Sequence, residues 1–173
     1  MKSLDTLEKY LSDWIDHLDI KKEKPFINGQ SQQWCPYAKA AWKNNKTKIV
    51  KVRDFTVDNF WKTVITEIDN FDGKEKDIVI VAVLTDIHVI NGLQLVGGCD
   101  AINSYLNFKK QDKWLLNQFG EDYTMVMIQK ITDLDNGSII LEKKGYYEGL
   151  NPYALNKNVM NRRKMRQQLK GKT

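Results

Sequence analysis

Cysteine occurs only twice in this chain, as Cys35 and Cys99. A small secreted domain held by cross-links carries more, so two thiols point to a reducing, cytoplasmic setting in which both stay free. Histidine is as scarce, with His17 and His88 alone. No Cys-x-x-Cys or His-x-x-x-His spacing exists, and a set built from Cys35, Asp86, His88 and Cys99 would draw on separate segments, so no metal is expected. Apolar runs are short, and none approaches the roughly 18 residues of a membrane helix. The opening Met1-Lys2-Ser3-Leu4-Asp5 lacks an apolar signal core and turns acidic at once. A membrane is therefore not an expected partner. The glycines form neither a Gly-x-x-x-x-Gly-Lys phosphate loop nor a Gly-x-Gly-x-x-Gly fingerprint after a strand, and there is no Gly-x-Ser-x-Gly elbow. The sequence names no cofactor.

What the chain does have is material for a core. Of its 173 residues, 42% are hydrophobic and 10% aromatic, including five Trp and seven Tyr. Disordered chains lack such residues because they cannot bury enough area to offset the entropy of ordering. The length fits one domain. Charge is divided unevenly. The net charge is +5, yet no acid follows Glu148, whereas seven bases do: Lys157, Arg162, Arg163, Lys164, Arg166, Lys170 and Lys172. Residues 1–148 are left with 20 bases against 22 acids. This division predicts a single α/β domain over 1–150 and a basic extension over 151–173.

Leu4, Leu7, Leu11, Trp14, Ile15 and Leu18 share one face of a helix over 4–18. A polar loop with an Asn28-Gly29 turn follows. Cys35 then precedes Pro36, which suits a first helical position, so Cys35 is read as the N-cap of a short helix closed by Asn44-Asn45. Thr47–Val52 is a short strand. Thr56 caps an amphipathic helix carrying Val57, Phe60, Trp61, Val64, Ile65 and Ile68, and Asp72-Gly73 turns out of it. Residues 77–84 form a β-branched apolar run, the pattern of a strand covered on both faces. Asn91-Gly92 and Gly97-Gly98 make 85–98 partly loop, with a helix near 98–108. Residues 109–123 read as a polar connection with an apolar patch at Trp114, Leu115, Leu116 and Phe119. A third strand covers 123–129, a helix 132–144 with Gly145 as its stop, an aromatic loop Tyr146, Tyr147, Pro152 and Tyr153, and a basic helix 156–170. Three strands separated by helices imply an α/β fold with a mostly parallel sheet of three or more strands and helices on both faces.

Cys35 is the leading candidate for chemistry. The thiolate is the reactive form, and unpaired N–H groups and the dipole at a helix start favour it. Lys39, one turn on, adds positive charge. Cys35-Pro36-Tyr37 resembles the first three residues of the glutaredoxin active site, which implies thiol redox chemistry at Cys35; the fourth position is Ala38, so the second cysteine of that motif is missing, and no proline precedes the third strand. Cys35-Pro36-Tyr37-Ala38 is also similar to a Cys-Pro-Phe-Ala motif that follows the first helix in a family of uncharacterised bacterial proteins. That resemblance implies alternating strands and helices and brings no activity. Cys99, after Gly97-Gly98, reads as a packed core residue, although a Cys35–Cys99 redox pair is open.

Two further sites are candidates. Asp86 and His88 follow the apolar strand, and ligands of open α/β sheets bind outside the carboxyl ends of strands. The tail bases Arg162, Arg163, Lys164 and Arg166 suit nucleic acid or an acidic partner, or the acidic body of the chain itself. The function expected is thus a thiol-dependent redox protein or enzyme using Cys35. The alternatives are an accessory protein binding through its tail and a small-molecule enzyme with a pocket near Asp86 and His88.

Overall fold

The apolar run at 78–84 forms the strand its β-branched residues demand, and the rest of the sheet is arranged around it. The computed structural model describes residues 3–17, 36–143, 147 and 159–170. Among the described residues four strands are present: β1 (Thr47–Lys51), β2 (Ile78–Leu84), β3 (Trp114–Phe119) and β4 (Tyr123–Gln129). The helices are α1 (Leu7–His17, entered through a 3₁₀ turn at Leu4–Thr6), α2 (Pro36–Lys43), α3 (Val57–Asn70), α4 (Gly92–Phe108), α5 (Ile131–Lys143) and α6 (Asn161–Lys170). The Asn28-Gly29 turn, Cys35, the Gly145 stop, Tyr146, Pro152 and Tyr153 lie outside the described residues.

The strand order is β1-β2-β4-β3. β1 pairs parallel with β2, with Thr47 opposite Ile78, while β4 runs antiparallel to both β2 and β3, with Val81 opposite Val126 and Leu116 opposite Met127. The sheet is therefore mixed, which corrects the mostly parallel arrangement expected. The cause is the stretch 109–123. It is not merely a polar connection, because Trp114–Phe119 is an edge strand joined to β4 by a tight turn at Gly120–Asp122, and a hairpin return is antiparallel. β1, β2 and β3 still run in one direction, so their carboxyl ends meet at one edge.

Helices cover both faces, as expected. On one face Phe60, Val64 and Ile68 of α3 and Leu95, Cys99 and Leu106 of α4 pack on Val79, Val81, Val83, Val126 and Ile128. On the other, Leu4, Leu7, Leu11, Ala38 and Ala41 pack on Ile78, Ile80, Ala82, Met125 and Met127. The odd and even residues of β2 thus feed opposite layers, which is the period-two consequence of the pleat. α5 and α6 close the second face at its amino end through Trp114, Ile131 and Leu134, with Met165 and Leu169 against them.

α4 corrects a second expectation. It starts at Gly92, not near 98, because Asn91 is not a loop residue but the N-cap of a complete capping box with Gln94. Gly98 stays helical for a packing reason: a Cβ there would collide with the Trp61 indole, so its lack of one lets α3 approach α4. Thr56 caps α3 as expected, its hydroxyl accepting from Asn59 N. Gly73 leaves the helix with φ +67°, where glycine is unstrained.

Candidate functional site

The carboxyl edge of the sheet gathers the ends of β1, β2 and β3, the start of β4 and the amino-terminal segment. Asp86 and His88 stand here, on the loop that leaves β2. Both are exposed. The Asp86 carboxylate accepts from His88 N at 2.9 Å, and its carbonyl accepts from Val89 N and Ile90 N, so Asp86 shapes the single turn that leads into α4. Thr85 ties this loop to the β3–β4 turn. Its N–H donates to the Asp122 carbonyl, its hydroxyl donates to the Gly120 carbonyl at 2.8 Å, and it shares a hydrogen bond with the Thr124 hydroxyl.

The amino-terminal segment is pinned over the same edge. Asp5 pairs with Arg53 at 2.6 Å and Glu8 with Lys51 at 2.7 Å, both at the end of β1. These cations hold both carboxyls below their usual range, chiefly through the hydrogen bonds they donate. The Tyr123 hydroxyl donates to the Ser3 carbonyl at 3.0 Å and shares a 2.8 Å hydrogen bond with Thr6. Tyr10 of α1 packs on Tyr123 with the rings tilted by 52° and their centres 4.9 Å apart.

Beneath Tyr10 lies the group the sequence did not flag. Gln118 of β3 is only 5% exposed, hydrogen-bonds the Tyr10 phenol, and leaves its Oε1 with no hydrogen-bond partner among the described residues. A buried acceptor left this way costs about 1–3 kcal/mol. Burial raises the Tyr10 pKa above the usual phenol value and the nearby Asp122 charge adds to it, so Tyr10 remains a hydroxyl at neutral pH. Gln118 and Asp122 escaped the sequence reading because 109–123 lacks strand alternation, and Tyr10 because it stands off the apolar stripe of α1. The signal available was a Gly120-Glu121-Asp122 turn between two β-rich runs.

The remaining candidates are dispersed. Cys99 is buried in the α3–α4 layer, and burial first, then Asp100, pushes its thiol up to about 12. It is a core residue, as expected, and the sheet separates it from α2. α2 does begin at Pro36, so the helix start placed after Cys35 is present, with Lys39 half-buried on that helix; Cys35 itself lies outside the described residues. The tail is turned inward. Arg162 is buried against Asp135 at 2.8 Å, Arg163 binds Glu142 and Ser138, and Arg166 donates to Asn136, all on α5. Arg162 is thus not presented to a polyanion, and Lys164 is the one of the four that stays exposed. Self-docking onto the acidic body is the arrangement adopted.

Among the described residues no group of three or more His, Cys, Asp or Glu could hold a metal ion, and no helix is long and apolar enough to cross a membrane. Comparison with family models, with curated proteins and with solved structures finds no match for this chain.

Proposed function

We propose that the chain binds, and acts on, a small molecule at the carboxyl edge of its sheet, between Gln118 and the Asp86–His88 loop. The observation that carries this reading is the buried Gln118 side chain with an acceptor atom that nothing among the described residues satisfies. Such groups are few in native chains and call for an explanation, and a ligand at this edge is the one adopted here. The edge also obeys the rule that ligands of α/β sheets gather where strands end. A matching ligand presents N–H or O–H donors. Gln118 accepts from it, the Asp122 carboxylate favours a positive or donor-rich group, the Tyr10 hydroxyl donates, and His88 supplies an imidazole for proton transfer. The test is a titration of the folded chain with amine, guanidine and amide fragments, read by the Gln118 side-chain amide and Tyr10 ring resonances. Expected are saturable shifts that vanish in Gln118→Leu; fragments that shift neither group end the proposal.

A second reading is favoured by the start of α2 at Pro36. In it, Cys35 is a thiol activated by the helix start, with Lys39 adding positive potential. Mass-resolved alkylation of the folded chain at neutral pH separates the two cysteines. This reading expects Cys35 to label rapidly while Cys99, buried and with its thiol pushed up to about 12, labels only on unfolding. Equally slow labelling of both removes it.

A further inference from the structure

The two loops at the carboxyl edge of the sheet both carry acids, and a strut joins them. Asp86 stands on the loop that leaves β2, and Glu121 and Asp122 stand on the β3–β4 turn; Asp86 and Glu121 are exposed. Thr85 binds the turn through its N–H to the Asp122 carbonyl and its hydroxyl to the Gly120 carbonyl. The same hydroxyl meets that of Thr124, which is fully buried, so the strut is anchored in the core. The cations at the end of β1 are matched elsewhere, Lys51 by Glu8 and Arg53 by Asp5. Granting the ligand site at Gln118, on which this rests, we infer that its ligand class is a long linear dication. It is an α,ω-diamine with one ammonium at Gln118 and the other at Asp86.

Three features select that class. The first is the head site. Gln118 is buried and its Oε1 has no hydrogen-bond partner among the described residues, so an ammonium N–H completes it. Its amide lies beside the acidic turn. A Cβ added at Gly120 would stand 3.8 Å from Gln118 Nε2 and 4.0 Å from the Tyr10 hydroxyl, and the Asp122 charge is felt at Tyr10. The second is separation. β4 lies between β2 and β3, which puts Gln118 about 10 Å from β2 across the sheet. Gln118 is level with Met125 and Leu84 with Tyr123, so the loop after Leu84 also starts about 7 Å further out along the strands. The two ends are therefore roughly 10–14 Å apart. One metal ion does not bridge that gap, and among the described residues no group of three or more His, Cys, Asp or Glu could hold one. An extended chain advances about 1.2 Å per bond, so a linker of about 8–12 bonds fits. The third is the surface between the ends. Leu84 is 36% exposed and Ile87 63%, and they offer methylenes an apolar path along the edge. Asp86 can receive the far ammonium and keep its turn, because the turn uses one of its two carboxylate oxygens, Oδ1, to accept from His88 N.

Calorimetric titration and NMR of the full chain with 1,8-diaminooctane, octylamine and 1,3-diaminopropane test this. Octylamine and 1,8-diaminooctane are both expected to perturb the Gln118 side-chain amide. The long diamine is expected to bind at least about tenfold more tightly than either of the others. Asp86→Asn keeps an acceptor for His88 N, so the turn persists, which circular dichroism and the His88 amide resonance verify. That variant should bring the long diamine to within about threefold of octylamine and change octylamine itself by no more than about twofold. Octylamine that perturbs Gln118, with no gain from the second ammonium, overturns the dication and leaves the site standing. So does a gain that survives Asp86→Asn, or one that 1,3-diaminopropane shows equally. Failure of every amine to perturb Gln118 overturns the site and the dication together.

Discussion

Two adjacent glycines of α4 face opposite surroundings, one toward open space and one against the Trp61 indole. Gly97→Ala gains helix propensity, and thermal denaturation of the monomer is expected to show a stabilisation of up to about 1 kcal/mol. Gly98→Ala gains the same propensity but must displace a rigid indole that packs on the core. Overpacking of that kind costs about 1–3 kcal/mol, so a net loss of stability is expected. Equal effects at the two positions would contradict the α3–α4 contact. Asp133 offers a check of opposite sign to the usual carboxylate. The residue is exposed, yet partial desolvation of its carboxyl raises the pKa, with Asp112 and Asp77 adding to the effect and Lys130 opposing it. Folding therefore favours its protonated form, and the ionised group detracts from stability above its folded pKa. Asp133→Asn should stabilise the chain slightly at neutral pH. The gain should fade below the ordinary value of 3.8, where the folded and unfolded states are both protonated. Denaturant titrations at pH 7 and pH 3 measure the difference.

At the scale of elements, local patterning explains which parts were legible. β2 and α3 were readable because a β-branched run and a 3.6-residue stripe are properties of neighbouring residues, and Thr56 caps by the same short-range rule. β3 was not, because Asn117 and Gln118 are polar residues pointing to opposite faces of an edge strand, which hides the alternation. The start of α4 was hidden because Asn91-Gly92 and Gly97-Gly98 read as breakers until the Gln94 capping box and the Trp61 contact are known. The mixed sheet followed from the missed strand. α6 depends on a buried ion pair that composition could not locate. Asp135→Ala removes the carboxylate that the buried Arg162 guanidinium meets at 2.8 Å, an expected loss of about 3–5 kcal/mol, whereas Asp135→Leu with Arg162→Met is expected to be near neutral. A loss no larger than that of Lys164→Ala, by chemical denaturation, would contradict the docking of α6. The amino-terminal pins behave differently, being exposed. Their folded pKa values are depressed from 3.8 and 4.5, so the stability they add is present above those values and lost as pH falls through the folded ones. Amide protection at Leu7 and Leu11, with the intrinsic pH dependence of exchange divided out, should fall below about pH 4 and be little changed between pH 5 and 8.

For the whole molecule, the sheet topology decides where chemistry can gather. Three co-directional strands bring the Asp86–His88 loop, the β3–β4 turn and the amino-terminal segment to one edge, while α6 pairs the bases of the tail with α5. Asp86 and His88 were legible as strand-end residues. Gln118 was not, because its significance comes from Tyr10, a residue of another element brought over it by the packing of α1. The most direct measurement is a backbone and side-chain NMR map of the chain with a saturating donor-rich fragment, such as a guanidinium compound. Expected are perturbations concentrated at Tyr10, Thr85–Asn91 and Gln118–Tyr123. Perturbations that avoid the Gln118 side chain and collect elsewhere on the surface would contradict a site at the carboxyl edge of the sheet.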